Sequence, residues 1–203
     1  MPERQSTRHF SMIRGFHLAD FFTLANGLCG VAAILEAMKY LVSADTRRVW
    51  LAAALVAAAF VFDVLDGRVA RWRHSASALG RELDSLADVI SFGVAPAAIA
   101  FAIGMDRALD QAVLIFFSLC GLSRLARFNV TAEALSGPSG RVKYFEGTPI
   151  PTSVVPLAIA LAAFYHGDLY PVTVLGLTFH LPVLAFFASG CLMISKTLRI
   201  PKP

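Results

Sequence analysis

Charged residues are scarce in this chain of 203 residues. Asp, Glu, Lys and Arg make up 16% of it, whereas 57% of the residues are hydrophobic, and the mean hydropathy is +0.64. Soluble globular domains carry roughly 25% charged residues, so the composition argues against a soluble domain and favours a membrane protein. A dense basic tract is also absent. The net charge of +4 therefore favours contact with anionic lipid headgroups over nucleic-acid binding.

Cysteine is nearly absent as well. The three thiols, Cys29, Cys120 and Cys191, lie far apart within apolar segments and have no metal-ligand spacing. This argues against a disulfide framework or a thiolate metal site, and it predicts three packing residues. Residues 1–19 lack the apolar core of a secretory signal, so a cleaved leader is not expected.

What the chain has instead is a series of long apolar segments. Six of them approach the ~20 residues needed to cross the hydrocarbon core of a bilayer. We predict spans at 20–42, 49–71, 83–104, 108–130, 151–166 and 172–195. Without an internal repeat, this predicts one all-α integral membrane domain over 1–203, a bundle of six transmembrane helices. Residues 11–19 mix apolar and basic side chains, which predicts either an interfacial helix on the cytoplasmic leaflet or a basic tail.

The distribution of basic residues predicts the orientation. With six spans, both termini lie on the same side as the connections at 71–83 and 131–150, and that side carries fourteen of the 18 Lys and Arg residues. The opposite side carries four. Since cytoplasmic loops are enriched in Lys and Arg, the basic side is predicted to be cytoplasmic.

Two pairs of carboxylates lie within the predicted spans. Asp63 and Asp66 are three residues apart, and Asp84 and Asp88 are four apart, so each pair shares one face of a helix. A charge at bilayer depth costs roughly 2.5 to 3.5 kcal/mol on insertion scales. Two such faces turned toward each other make a hard-oxygen site suited to Mg²⁺, Mn²⁺ or Ca²⁺. No Cys or His accompanies them, which argues against zinc.

Small and basic residues surround the carboxylates. Gly67, Ala70 and Gly80 allow close approach of backbone or ligand, and Arg71 can bind phosphate through two parallel hydrogen bonds. The alternative is that the carboxylates only pair with nearby arginines, namely Arg68, Arg71, Arg73 and Arg81. The helical spacing of both pairs and the fixed glycines favour a metal site.

The stretch Asp63–Asp88 resembles the CDP-alcohol phosphotransferase family. It matches the family pattern D-x2-D-G-x2-A-R-x8-G-x3-D-x3-D at all eight specified positions. The resemblance implies the six-helix fold, a homodimer, and a reaction in which an alcohol displaces CMP from a CDP-linked lipid. It also implies a divalent metal cofactor, Mg²⁺ or Mn²⁺, bound as two ions.

The resemblance also implies roles for individual residues. Asp63, Asp66, Asp84 and Asp88 correspond to metal ligands, and Asp88 also to the general base that takes the proton of the attacking hydroxyl. The implied contacts to the nucleotide and its pyrophosphate are Thr23, Asp63, Gly67, Ala70, Arg71 and Gly80.

The first predicted span resembles the family's first-helix segment, often Pro-Asn-x-x-Thr. Thr23 matches, whereas Ala19 and Asp20 replace the Pro and the Asn, which leaves open whether Asp20 contacts the nucleotide. The alternative for Thr23 and Asn26 is hydrogen bonding between helices.

Three further stretches, at 91–96, 124–129 and 144–151, resemble the phosphatidylserine synthase branch of the family. L-Serine carries a carboxylate, which Arg124 or Arg127 can bind, and an ammonium group, which Glu146 can bind. The alternative is that the arginines bind lipid headgroups on the cytoplasmic side and that Glu146 pairs with a loop lysine.

Together these features predict an integral membrane enzyme that transfers a phosphatidyl group from CDP-diacylglycerol to L-serine on the cytoplasmic side, with membrane lipids as its other partners. One alternative is the same chemistry with glycerol 3-phosphate or inositol phosphate as acceptor. Another is a divalent-cation transporter that uses the carboxylates as a permeation site. His180 lies in an apolar span and is predicted to be hydrogen-bonded in the core.

Overall fold

The computed structural model describes residues 18–73, 78–134, 144–195 and 199–201. The predicted segment at 11–19 lies almost entirely outside them. The helices are α1 Leu18–Ser43, α2 Thr46–Arg73, α3 Ala78–Asp88, α4 Ala95–Ala102, α5 Ala108–Ala134, α6 Val154–His166 and α7 Val183–Ile194. A π-helical segment, Val89–Val94, joins α3 to α4, and a 3₁₀ turn, Ile150–Ser153, precedes α6. The strands are β1 Tyr144–Glu146, β2 Pro171–Val174, β3 Leu177–His180 and β4 Arg199–Pro201.

Four helical stretches are long and apolar enough to cross a membrane, and they confirm the first four predicted spans. They are Asp20–Ser43, Thr46–Val69, Leu79–Ala102 and Ala108–Val130. Ile150–His166 and Val183–Ile194 are shorter apolar helices. Side chains such as Leu28, Leu86 and Ile115 are at least 60% exposed, as expected for helix faces that meet lipid. The described chain is thus an all-α membrane protein, in agreement with the predicted class.

The sixth predicted span is wrong over its first half. Residues 171–180 form an antiparallel hairpin in which Val172 pairs with Phe179 and Val174 with Leu177. Leu175 and Gly176 form its turn, and both have positive φ values, 53° and 81°, as two-residue hairpin turns of this hand require. Because the hairpin takes up these residues, α7 is only 12 residues long. Hydropathy alone cannot distinguish apolar strands from an apolar helix.

Close approach of α1 to its neighbours depends on small residues. Four alanines in these helices have at most 2% of their surface exposed, namely Ala33 and Ala37 on α1 and Ala52 and Ala59 on α2. Their small side chains let the two helices pack closely. A Cβ atom at Gly30 would lie 2.3 Å from Ser91 Oγ in the π-helical segment. Only glycine therefore fits this crossing.

Polar contacts hold the end of the bundle opposite the carboxylates. Glu36 near the end of α1 accepts hydrogen bonds from Lys39 Nζ at 2.6 Å and from Arg48 Nη1 at 2.9 Å. Asp110 on α5 is fully buried and accepts from His180 N at 2.9 Å and from His180 Nδ1 at 2.7 Å. The predicted core hydrogen bond of His180 is confirmed, and it ties the hairpin to α5.

Candidate active site

Three aspartates meet between the C-terminal half of α2 and the C-terminal half of α3. The carboxylates of Asp63, Asp66 and Asp84 each offer one oxygen, and these oxygens lie within 4.8 Å of one another. Asp84 Oδ1 is buried and has no hydrogen-bond partner among the described residues. Three acidic groups with an unpartnered buried oxygen fit a hard divalent cation, which neutralises their repulsion and accepts oxygen ligands. The structure thus brings three of the four predicted carboxylates into one small volume.

Thr23 holds one of these carboxylates from α1. Its Oγ1 donates to Asp66 Oδ2 at 3.0 Å, and both side chains are buried. The bond joins residues 43 positions apart and sets the orientation of the Asp66 carboxylate. Thr23 therefore makes the helix–helix hydrogen bond that the sequence offered as the alternative, and it does so inside the site.

Asp88 lies next to this group of three but has a different environment. Its Oδ1 accepts a hydrogen bond from Asn26 Nδ2 at 3.1 Å, and it is 6% exposed. It is close enough to Asp63, Asp66 and Asp84 for electrostatic repulsion from each. The structure thus separates three convergent carboxylates from a fourth that is bound by an amide.

The π-helical segment begins immediately after Asp88. Such segments are rare overall, but those that occur are often found at functional sites, because they disturb the regular backbone hydrogen bonding. Here two serine hydroxyls supply hydrogen bonds to backbone carbonyls around it. Ser91 Oγ donates to Asn26 O at 2.9 Å and Ser118 Oγ lies 3.0 Å from Gly93 O. The stretch at 91–96 therefore marks a specialised backbone beside the site.

The two predicted acceptor arginines lie in different surroundings. Arg124 is 8% exposed, its guanidinium lies 5.8 Å from the Phe128 ring centroid, and it is attracted electrostatically by Asp88. Arg127 instead approaches the last carbonyls of α7, with Nη2 3.5 Å from Met193 O and Nη1 3.5 Å from Ile194 O. Arg124 is thus a buried cation within electrostatic range of Asp88, whereas Arg127 binds the C-terminus of α7.

The loop before α6 packs on that same helix end. Gly147 has a φ of +76°, and a Cβ atom there would lie 2.3 Å from Met193 O. Thr148 N donates to Leu192 O at 3.2 Å. Glu146 lies in β1 opposite Arg199 of β4, and its side chain lies outside the described part. Part of the resemblance at 144–151 therefore has a structural explanation, because Gly147 and the backbone N–H of Thr148 pack against the C-terminal end of α7.

The predicted nucleotide contacts border the carboxylates along the backbone. Gly67 follows Asp66, and a Cβ atom there would meet no described atom within 4 Å, so packing in the described part does not require glycine at this position. Ala70 and Arg71 lie in the last turns of α2 and Gly80 in the first turn of α3. The side chains of Ala70 and Arg71 are outside the described part.

Sequence reasoning missed the role of a second amide near the site. Asn129 on α5 donates from Nδ2 to Ser85 Oγ at 3.0 Å and to Glu82 Oε2 at 3.3 Å, both on α3. Its place within the 124–129 stretch was the available signal. Asn26 from α1 and Asn129 from α5 therefore both hydrogen-bond to side chains of α3.

Comparisons with known proteins agree with this geometry. A family model described as CDP-alcohol phosphatidyltransferase matches residues 16–191. A Saccharomyces cerevisiae protein named CDP-diacylglycerol–serine O-phosphatidyltransferase is 47% identical over 207 residues, which cover 96% of this chain and 74% of that protein. A Helicobacter pylori protein of the same name is 39% identical, over 72% of this chain and 59% of the relative. An archaetidylserine synthase of Methanothermobacter thermautotrophicus is 36% identical, over 75% and 59%.

Proposed function

Because the chain belongs to the CDP-alcohol phosphatidyltransferase family, we propose that it transfers a phosphatidyl group from CDP-diacylglycerol to L-serine and releases CMP. The names of the yeast and Helicobacter relatives state serine as the acceptor, and the archaeal relative's name states archaetidylserine as the product. The observation that carries the proposal is the group of three convergent carboxylates, Asp63, Asp66 and Asp84, with the buried Arg124 within electrostatic range of the neighbouring Asp88.

Asp63, Asp66 and Asp84 would hold the metal, which we propose to be Mg²⁺ or Mn²⁺, with a second ion if Asp88 also serves as a ligand. When bound, the metal supplies positive charge that stabilises the pyrophosphate and the leaving CMP. Thr23 supports this arrangement because its hydrogen bond fixes the rotamer of Asp66.

Asp88 is the proposed general base. Its Oδ1 is bound to Asn26, which leaves Oδ2 to take the proton of the serine hydroxyl. The serine oxygen then forms a bond to the lipid-side phosphorus, and the bond between that phosphorus and the CMP oxygen breaks. CMP leaves with the electron pair, and the proton stays on Asp88.

Arg124 is the proposed partner of the serine carboxylate. A buried guanidinium is costly unless an anion pairs with it, and planar two-point binding of a carboxylate is what arginine does best. Since Arg124 lies within electrostatic range of Asp88, we propose that a serine held by its carboxylate directs its hydroxyl toward the base. Arg127 remains a weaker candidate because it approaches the end of α7. Glu146 remains a candidate for the ammonium group.

The remaining proposals concern the nucleotide and the assembly. Gly67, Ala70, Arg71, Gly80 and Thr23 are proposed to contact the cytidine and the pyrophosphate. We also propose that 1–203 is one domain, that both termini and the site face the cytoplasm because of the charge bias, and that the enzyme is a homodimer. Crosslinking in native membranes tests the last point.

CMP release by the purified protein tests the function. The protein in CDP-diacylglycerol micelles with Mg²⁺ or Mn²⁺ is supplied in turn with L-serine, glycerol 3-phosphate and inositol phosphate. The expected result is CMP release with L-serine alone. Release with a phosphorylated acceptor instead would retain the aspartate mechanism and refute the serine assignment. Metal binding without CMP release under any condition would favour the transporter.

A further inference from the structure

The Asn26 carboxamide has one satisfied end and one unsatisfied end. The side chain is fully buried. A carboxylate accepts hydrogen bonds, so the amide nitrogen must face Asp88, and Nδ2 lies 3.1 Å from Asp88 Oδ1. The amide oxygen, Oδ1, then points away from Asp88, and it is buried without a hydrogen-bond partner among the described residues.

An unpartnered buried amide oxygen is unfavourable for folding. A leucine of similar volume would fill the same space without that penalty, so packing does not account for an asparagine here. The nitrogen has a clear role in holding Asp88. The oxygen is explained if a hydrogen-bond donor meets it in the working enzyme.

The backbone that carries Asn26 is held in place by the π-helical segment. Ser91 Oγ donates to the backbone oxygen of Asn26 at 2.9 Å, and Gly30 allows Ser91 to approach α1 closely. Asn26 is thereby held on α1 while Asp88 is held on α3. The same carboxamide can therefore hold the base through Nδ2 and offer Oδ1 to a ligand.

We propose that Asn26 Oδ1 accepts a hydrogen bond from the ammonium group of L-serine. The inference rests on the proposed function, since it concerns the acceptor of that same site. The hydroxyl and the ammonium of serine are on adjacent carbons, so a serine whose hydroxyl meets Asp88 presents its ammonium to a neighbouring acceptor. With Arg124 on the carboxylate, Asn26 supplies the third contact. This contact selects serine over hydroxy acids that lack an amino group.

The test compares L-serine with 3-hydroxypropionate, which is serine without its ammonium group. Phosphatidylserine formation gives the KM for L-serine, and 3-hydroxypropionate is added as a competitor to give its inhibition constant. In Asn26→Leu, the KM for L-serine is expected to rise about tenfold, the effect of one lost hydrogen bond to a charged group. The inhibition constant of 3-hydroxypropionate is expected to change by less than about twofold.

Asn129→Leu is the matched control. It makes the same chemical change in a carboxamide whose hydrogen bonds join α5 to Ser85 and Glu82 of α3. It is expected to leave the ratio of the two constants unchanged. The KM for CDP-diacylglycerol reports whether each variant is folded, and Asn26→Ser, which keeps an oxygen acceptor, is expected to recover part of the serine affinity.

Two results would overturn the inference. One is an unchanged KM for L-serine in Asn26→Leu, and the other is an equal rise in both constants, which a structural role alone would produce. If Asn26→Leu does not bind CDP-diacylglycerol, the same comparison in Asn26→Ala decides. Wild-type protein that makes no phosphatidylserine would refute the proposed function itself, a result distinct from any result with the variants.

Discussion

Thr23 Oγ1 lies 3.0 Å from Asp66 Oδ2, and through this bond α1 orients a carboxylate carried by α2. Outer hydrogen bonds of this kind set the rotamer of a metal ligand, and their loss typically lowers metal affinity by about 10- to 100-fold. The geometry of the three convergent aspartates is therefore a property of three helices rather than of the acidic pattern alone.

Thr23→Val is expected to raise the Mg²⁺ concentration for half-maximal activity by about tenfold. The substitution keeps the shape of the side chain and removes only the hydroxyl. Thr173→Val makes the same change on the hairpin at the other end of the bundle, where the hydroxyl bonds to Thr178. That control is expected to leave the metal titration unchanged, and equal shifts in both variants would contradict the assignment.

Asp88→Asn is expected to lower kcat by about 10²- to 10⁴-fold, the usual contribution of a general base. An amide cannot take the serine proton, although it still fits beside Asn26. The binding of CDP-diacylglycerol, measured by equilibrium dialysis of the labelled lipid in micelles, is expected to change little. A variant that retains wild-type kcat would refute the role of Asp88 as base.

Substitution of Arg124 is expected to change the kinetics, and substitution of Arg127 is expected to change the stability. Arg124→Ala should raise the KM for L-serine by about tenfold or more, because the carboxylate loses a charged partner. Arg127→Ala should lower the melting temperature in detergent, since the carbonyls that end α7 lose a donor, and should leave that KM nearly unchanged. The reverse pattern would move the acceptor site toward α7.

His180→Ala is expected to lower the free energy of unfolding by about 3 kcal/mol, because it leaves Asp110 buried with fewer partners. The pair lies at the end of the bundle away from the carboxylates, so kinetic constants per folded molecule should stay unchanged. His166→Ala, an exposed residue at the end of α6, is the control. Thermal unfolding in detergent measures both variants, and equal melting temperatures would show that the pair does not stabilise the fold.

The sequence was sufficient to predict that Asp63, Asp66 and Asp84 lie close together. Asp63 and Asp66 must share one helix face because of their spacing, and so must Asp84 and Asp88. Charges at membrane depth need mutual or metal partners, which directs the two faces toward each other. The first four spans followed from length and hydropathy for a similarly simple reason.

Other features depend on contacts that no local pattern encodes. The hairpin at 171–180 is as apolar as a helix, so only the turn at Leu175 and Gly176 gave a signal. The sequence does not distinguish Arg124 from Arg127, yet Arg127 approaches the end of α7 whereas Arg124 is buried and within electrostatic range of Asp88. The amide bond from Asn26 to Asp88 joins residues 62 positions apart, and it requires the packing of α1 on α3.

The most direct test of the central claim is the transfer of isotopically labelled L-serine into lipid by the purified protein in CDP-diacylglycerol micelles. We expect labelled phosphatidylserine and one CMP per lipid formed in the presence of Mg²⁺ or Mn²⁺, with loss of product in Asp84→Asn and retention in Asp106→Asn, an exposed carboxylate at the other end of the bundle. The account would be contradicted if folded wild-type protein transferred no label from L-serine into lipid, or if Asp84→Asn kept full activity.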